Sequence, residues 1–285
     1  MLSISPSLWL VAMPLGNPGD LSPRAREVLS RADAVLAEDT RRAGLVCQRC
    51  DVEVRRFISF HEHNEEKRAP ELVARLRAGA CLALISDAGM PIIADPGYRL
   101  VRLCRAAGIP VSVIPGPSAL TTALAGSGIA PLPFSFLGFL PRDAAGRKRL
   151  FSFFACTPGS LIFFERKDRL AASLADAYAL LGQRELCIAR ELTKTHEEFI
   201  LSPLSDFKKV GAGLLGEITV VIGPALETPR QPEAEAWTVL LEEQERGGRP
   251  REIARRAQGR LHGWTGSELY ALLTRDDGES RDRKL

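Results

Sequence analysis

Apolar residues along this chain fall into short runs separated by longer amphipathic stretches. The runs predict strands at 8–12, 34–37, 57–59, 82–85, 111–114, 134–137, 161–164, 186–189 and 218–222. Several are continuously apolar, as strands buried on both faces are. Residues 65–78 and 98–107 carry helical spacing instead. The second of these runs into Gly108, a left-handed helix stop, with Pro110 just beyond. Alternating strands and helices predict an α/β fold: two αβα domains with helices on both faces of each sheet, plus a small helical extension. Glycine and proline concentrate in "GSGIAPLP" and again in "PALETPRQP". These marks divide the chain into 1–127, 128–225 and a helical tail at 226–285. Within the tail, Thr265-Gly-Ser-Glu268 forms a capping box ahead of Leu269, Leu272 and Leu273, and the terminal "DDGESRDRKL" reads as a frayed end.

Composition changes this picture little. The 285 residues are 45% hydrophobic and 26% charged, ordinary for a globular protein, and a net charge of +3 does not by itself demand a polyanionic partner. No apolar run has the roughly 18 residues of a membrane helix, and "SLWLVAMPLGN" lacks a basic flank, so a cytoplasmic location is expected. Six cysteines are scattered at 47, 50, 81, 104, 156 and 187. Cys47 and Cys50 make a C-x-x-C without a second pair at metal spacing, so reduced, partly buried thiols are expected and no metal site.

In parallel α/β sheets, ligands bind where strand carboxyl ends run into loops. Three loops suit that position: "AMPLGNPGDLSPRA", Asp87-Ala-Gly-Met-Pro91 and Pro115-Gly-Pro-Ser-Ala119. Gly16 and Gly19 permit close backbone approach, Asp20 or Ser22 can cap the next helix, and Ser118 stands at another helix start. Neither G-x-G-x-x-G nor G-x-x-x-x-G-K-[ST] is present, so these are not dinucleotide or phosphate loops. Backbone-rich turns without a lysine suit a nucleoside or amino-acid ligand.

Taken in order, "VAMPLGNPGDLSPRAREVL", "AEDTRR", "SFHEHNE", "LISDAGMP", "DPGYRLV", "IPVSVIPGPSALTTALAGSG", "GFLP" and "ARELTKTHEE" resemble the ribosomal RNA small subunit methyltransferase I family, on the tetrapyrrole-methylase fold. The resemblance spans about 8–223. It implies a homodimer that binds S-adenosylmethionine in a cleft between two α/β domains and methylates the 2′-hydroxyl of a cytidine in 16S ribosomal RNA of the 30S subunit. It places the cofactor against Pro14, Gly16, Asp87, Ala88, Gly89, Met90, Ser118, Ala119 and Phe164. The chain departs from the family where Met13 and Met90 replace threonine. It departs again at Arg166-Lys167-Asp168, where the family has Ser-Pro-His between the matching Glu165 and Arg169.

Methyl transfer to a ribose asks the protein for position and for a base. Glu191 and His61 are the catalytic candidates. Arg41, His63, Arg147, Arg149, Arg169, Arg190 and Lys194 are candidates for contacting RNA. The i, i+2 pair His61 and His63 also resembles a metal pair, but methyl transfer needs no metal. Arg142, Lys148, Arg166 and Lys167 thicken the basic clusters, and the tail adds Arg249, Arg251, Arg255, Arg256 and Arg260. A helix over 251–260 followed by the capped Leu269 helix predicts a helix-turn-helix-like module for docking on structured RNA. Two rivals remain: a small-molecule tetrapyrrole methylase, disfavoured by Pro14 in the first loop, and a non-catalytic RNA-binding assembly factor.

Overall fold

The computed structural model describes residues 7–155, 157–210, 213–225, 231–261 and 263–279. They form two compact units, which meet in sequence at Pro224 and Ala225.

The first unit begins with five strands, β1 (Leu8–Val11), β2 (Ala34–Ala37), β3 (Phe57–Ser59), β4 (Leu82–Leu84) and β5 (Val111–Ile114). All pair in parallel, in the order β3-β2-β4-β1-β5. Helices α1 (Pro23–Arg31), α2 (Thr40–Arg49), α3 (Glu62–Arg77) and α4 (Tyr98–Ala106) make the crossovers, and α5 (Ala119–Gly126) leads out of the sheet. Side chains alternate across each strand, so one sheet feeds two cores. Trp9 and Val11 of β1 pack with Val28, Leu29 and Cys47 from α1 and α2. Leu8 and Leu10 pack with Leu72, Leu76, Leu100 and Cys104 from α3 and α4. The helix after β1 and the helix after β4 therefore lie on opposite faces of adjacent strands. Their loops diverge and leave a crevice at the strand carboxyl ends, the switch-point geometry of open α/β sheets.

The second sheet holds β6 (Phe134–Phe139), β7 (Ser160–Glu165), β8 (Glu185–Arg190), β9 (Glu198–Pro203) and β10 (Ile218–Ile222), in the order β6-β7-β10-β8-β9. Only β6 and β7 pair in parallel; the other pairs are antiparallel. Helices α6 (Ala144–Phe154), α7 (Leu170–Leu181) and the short α8 (Phe207–Val210) accompany it. On one face Phe151, Leu174, Leu186 and Val220 pack together; on the other, Ile162, Cys187 and Val221 meet Ala123 and Leu124 of α5. The predicted division after residue 127 falls between the two sheets, in the segment joining α5 to β6.

The second unit is a helical trio, α9 (Glu233–Glu245), α10 (Pro250–Gln258) and α11 (Gly266–Glu279). Leu240, Ile253, Ala257, Trp264, Leu269 and Leu272 form its core. The capping box forms: the Thr265 N–H donates to Glu268 Oε2 at 2.8 Å and the Glu268 N–H returns to Thr265 Oγ1 at 3.2 Å. Glu243, buried in the trio, accepts from Arg246, Arg256 and Arg260, all at 2.8 Å.

The predicted elements need four corrections. β9 has no counterpart among the predicted strands, because "EFILSP" is half polar and sits on the sheet edge, partly exposed. Helix α3 begins three residues earlier than its apolar spacing shows, since Asn64 Oδ1 accepts from the His61 N–H at 3.0 Å and ties down its first turn. The helix predicted over 251–260 ends at Gln258. Ser118 occupies the position before α5 but makes no cap bond, whereas Ser22 Oγ accepts from the Ala25 N–H at 3.1 Å. Cys47, Cys50, Cys81, Cys104 and Cys187 are free and buried; Cys156, the linker at 226–230 and the end at 280–285 lie outside the described residues.

Candidate functional site

A cavity of about 540 Å³ opens within the first unit at the carboxyl ends of β1, β4 and β5. Leu15 from the loop after β1, Asp87–Met90 and Ile93–Asp95 from the loop after β4, and Ser118 and Ala119 after β5 make one wall. Phe139, Phe164–Asp168, Leu192 and Gly216–Thr219 make the other. Apolar side chains line both walls, and polar atoms converge from the loops, the usual make-up of a small-molecule site.

Backbone pairing fixes the first wall. Met13 and Gly89 exchange hydrogen bonds, N–H to carbonyl, at 2.8 and 3.0 Å. Gly89 holds φ +74°, and a Cβ there would stand 3.2 Å from Leu15 Cδ2, so the loop closes tightly only with glycine. Ser86 Oγ donates to the Ala88 and Gly89 carbonyls at 3.0 and 3.1 Å. Arg42 reaches from α2 to Asp87 Oδ2 at 2.8 Å, while Asp87 Oδ1 is buried without a partner. A buried acceptor left unsatisfied is costly unless a ligand donor completes it.

The second wall rests on the segment from Arg190 to Glu198. There Glu191 and Thr193 hold φ +51° and +63°. Glu191 Oε1 accepts from Lys194 Nζ at 3.1 Å and from the Glu217 N–H at 3.0 Å. The backbone N–H of Glu217, then the Lys194 ammonium, hold the Glu191 carboxyl below the usual carboxylate range. Lys194 also meets Glu217 at 2.9 Å, and the Asn17 N–H donates to Thr193 Oγ1 at 3.1 Å. The two walls are thereby tied together.

Of the residues expected at the cofactor, Asp87, Ala88, Gly89, Met90, Ser118, Ala119 and Phe164 come together on this cavity. Pro14 and Gly16 stand on either side of Leu15, which alone of that trio lines it; the space beside Gly16 is taken by the Lys194 stem. Met13, one of the departures from threonine, is buried in the first core, and only Met90 reaches the cavity. His61 and His63 lie off it, their rings 6.0 Å apart and edge to face.

The basic candidates separate sharply. Arg147 is a correction: it is buried, bound to Asp176 at 2.8 Å, and donates to the Arg142 carbonyl at 2.7 Å, so its charge is spent inside the fold. Arg169 is another, clamped on the Leu140 and Pro141 carbonyls at 2.8 and 2.7 Å beside buried Glu165. Arg190 holds Glu198 at 2.7 Å, and Lys194 is engaged as described. Arg149 is exposed, and Arg41 is exposed beside Asp39, whose carboxyl is lowered to about 2 by the Arg41 side chain and backbone N–H groups.

Asp95 was missing from the sequence-derived site. It lies in the quoted block "DPGYRLV", two residues before Gly97, and reads there as a turn acid. Burial first, then the charges of Glu38 and Asp87, push its carboxyl up to about 7. Arg166 and Lys167 also line the cavity, at positions where the family pattern is absent.

Residues 7–208 match the family model of tetrapyrrole (corrin/porphyrin) methylases. A ribosomal RNA small subunit methyltransferase I from Micromonospora olivasterospora is 40% identical over 281 residues, covering 96% of this chain and 89% of that protein. One from Escherichia coli O157:H7 is 45% identical over 200 residues, covering 70% of each. The fold resembles uroporphyrin-III C-methyl transferase from Thermus thermophilus, solved with S-adenosyl homocysteine, with a TM-score of 0.57 at 19% identity over 76% of this chain and 97% of that one. The described residues contain no helix long and apolar enough to cross a membrane. With a loop cavity at the switch point of the parallel sheet, a family model matched over 7–208 and relatives of this closeness, the chain belongs to the ribosomal RNA small subunit methyltransferase I family, on the tetrapyrrole-methylase fold.

Proposed function

We propose that this chain transfers a methyl group from S-adenosylmethionine to the 2′-hydroxyl of a cytidine in 16S ribosomal RNA within the small subunit. The observation that carries the reading is the cavity itself, formed by the same loops that carry the family resemblance. Its residues fit the methyl donor. Leu15, Phe139, Phe164 and Leu192 offer apolar surface, backbone at 87–90 and 118–119 offers amides and carbonyls, and the unsatisfied Asp87 Oδ1 offers an acceptor for an amine or hydroxyl. When bound, the donor supplies a methyl group already activated as a sulfonium.

The protein's own residues then do three things. The tied walls hold the acceptor hydroxyl near attack distance, an effect worth roughly 7–11 kcal/mol in well-oriented systems. The apolar lining excludes water. Arg166 and Lys167 at the cavity, with exposed Arg41 and Arg149, attract phosphates without reading sequence. Exposed Arg249, Arg251 and Arg255 on and beside α10 offer a second basic surface in the tail unit. A second copy of the chain completes the active form, a reading supported by exposed Phe139, Val113 and Leu201 on strands of both sheets.

The test is mass mapping of 16S RNA after incubating 30S particles with the protein and S-adenosylmethionine. One 2′-O-methylcytidine is expected, and a methyl on a base overturns the reaction assignment. Deleting 228–285 is expected to weaken 30S binding and leave donor binding intact, as read by sedimentation and titration calorimetry.

A further inference from the structure

A ribose 2′-hydroxyl is a weak acid, so its methylation needs a group to take the proton. Five carboxylates border the cavity: Asp87, Asp95, Glu165, Asp168 and Glu217. Four are engaged. Asp87 holds Arg42 at 2.8 Å, Asp168 holds Arg166 at 3.2 Å, and Glu217 holds Lys194 at 2.9 Å. Glu165 is buried and accepts from the Ser173 hydroxyl and the Arg166 N–H. Asp95 alone makes no ion pair or side-chain hydrogen bond among the described residues.

The loop that presents Asp95 is strained. Ile92 and Ala94 hold φ +76° and +69°, and a β-branched residue in the left-handed region is a genuine outlier. Gly97 holds φ +131°, where a Cβ would lie 2.5 Å from Leu84 Cδ2 and 3.0 Å from Ile92 Cγ1. Such conformations are costly and persist where the surroundings enforce them, typically at functional sites. Here the enforced backbone sets one unpaired carboxylate on the wall of the cavity.

We propose that Asp95 is the general base of the methyl transfer: its carboxylate takes the 2′-hydroxyl proton as that oxygen bonds to the methyl carbon and the sulfonium carbon–sulfur bond breaks toward sulfur. The assignment rests on the ribose-methylation reading above. Asp95 then passes the proton to water when product leaves. Its charged neighbours are Glu38 and Asp87, with Arg42 bound to Asp87; Arg166 and Lys167 border the same cavity from the end of β7. Burial and the two acids keep the carboxyl near neutrality, where a general base is both deprotonated and basic.

The experiment compares full-length wild type, Asp95→Asn and Asp95→Glu in three measurements. Titration calorimetry with S-adenosylmethionine is expected to give affinities within about threefold of one another. Single-turnover methylation of 30S particles is expected to fall about 10²–10⁴-fold in Asp95→Asn, the usual worth of a positioned base, and to lose its rise through pH 7. Asp95→Glu is expected to recover part of the rate with a displaced midpoint. Without donor or RNA, Asp95→Asn is expected to melt above wild type at pH 8 and with it at pH 4. Wild-type rate and an unchanged pH rise in Asp95→Asn overturn the proposal, as does selective loss of donor affinity. If wild type methylates a base, the reaction reading fails as well, whereas ribose methylation that ignores Asp95 removes only the base assignment.

Discussion

Two loops face each other across the cavity, and each carries a carboxylate on strained backbone, yet their chemistry is opposite. In the segment after β8, Glu191 receives an ammonium and a backbone N–H, and its proton is lost early. In the segment after β4, Asp95 receives neither; burial first, then Glu38 and Asp87, keep its proton to about pH 7. Residue type does not separate them; burial and like charges on one side, and donors on the other, do. Environments that push two acids apart in this way mark which one anchors and which one exchanges protons. Strain follows the same division of the molecule: of the five non-glycine positions with positive φ among the described residues, four lie in these two loops.

The comparison breaks most visibly in rate. Against the large loss expected for Asp95→Asn, Glu191→Gln is expected to keep methylation within about tenfold of wild type and to keep its pH rise. A collapse of rate in Glu191→Gln with donor binding intact would reverse the two roles. Next in size is Gly216→Ala. Gly216 holds φ +94°, and a Cβ there would overlap the Glu191 carboxylate, so the change is expected to destabilise by about 1–3 kcal/mol. Thermal melts check it, and a melting temperature equal to wild type would show that the Glu191 lock yields freely.

A smaller effect sharpens the other side. Arg42→Ala strips Asp87 of its cation and leaves its negative charge to act on Asp95. The midpoint of the rate–pH curve is then expected to rise by about half a unit, since a like charge disfavours ionisation. An unchanged midpoint would mean that Asp87 does not reach Asp95.

Stability carries the finest signal. The folded chain holds the Asp95 proton to about pH 7, while an unfolded aspartate releases it near the ordinary value of 3.8. Folded protein therefore binds more protons between these values, and wild-type stability declines as pH rises across that window. Asparagine cannot ionise, so the decline is expected to flatten in Asp95→Asn; melts at pH 4, 6 and 8 read it directly.

The sheets were legible because buried strands leave short apolar runs, unbroken in Leu8–Val11, Ala34–Ala37 and Leu82–Leu84 and interrupted by one Ser or Thr in Val111–Ile114 and Ile218–Ile222. β9 escaped because an edge strand such as Glu198–Pro203 needs apolar contact on only part of its surface. The cavity loops were legible as glycine–proline turns after strands. Pairing was not: nothing in the order of residues says that Arg147 finds Asp176, or that Arg169 finds two carbonyls and ceases to be available for RNA. Asp95 was hidden for the converse reason. Its distinction is the absence of a partner, which no motif records.

Gly16 has one more consequence. Because the aliphatic stem of Lys194 occupies the space a side chain at 16 would fill, the smallest addition there acts as a wedge between segments far apart in sequence. Gly16→Ala would unseat Lys194, loosen its grip on Glu191 and Glu217 together, and spread the jaws of the site without altering a single group that borders it.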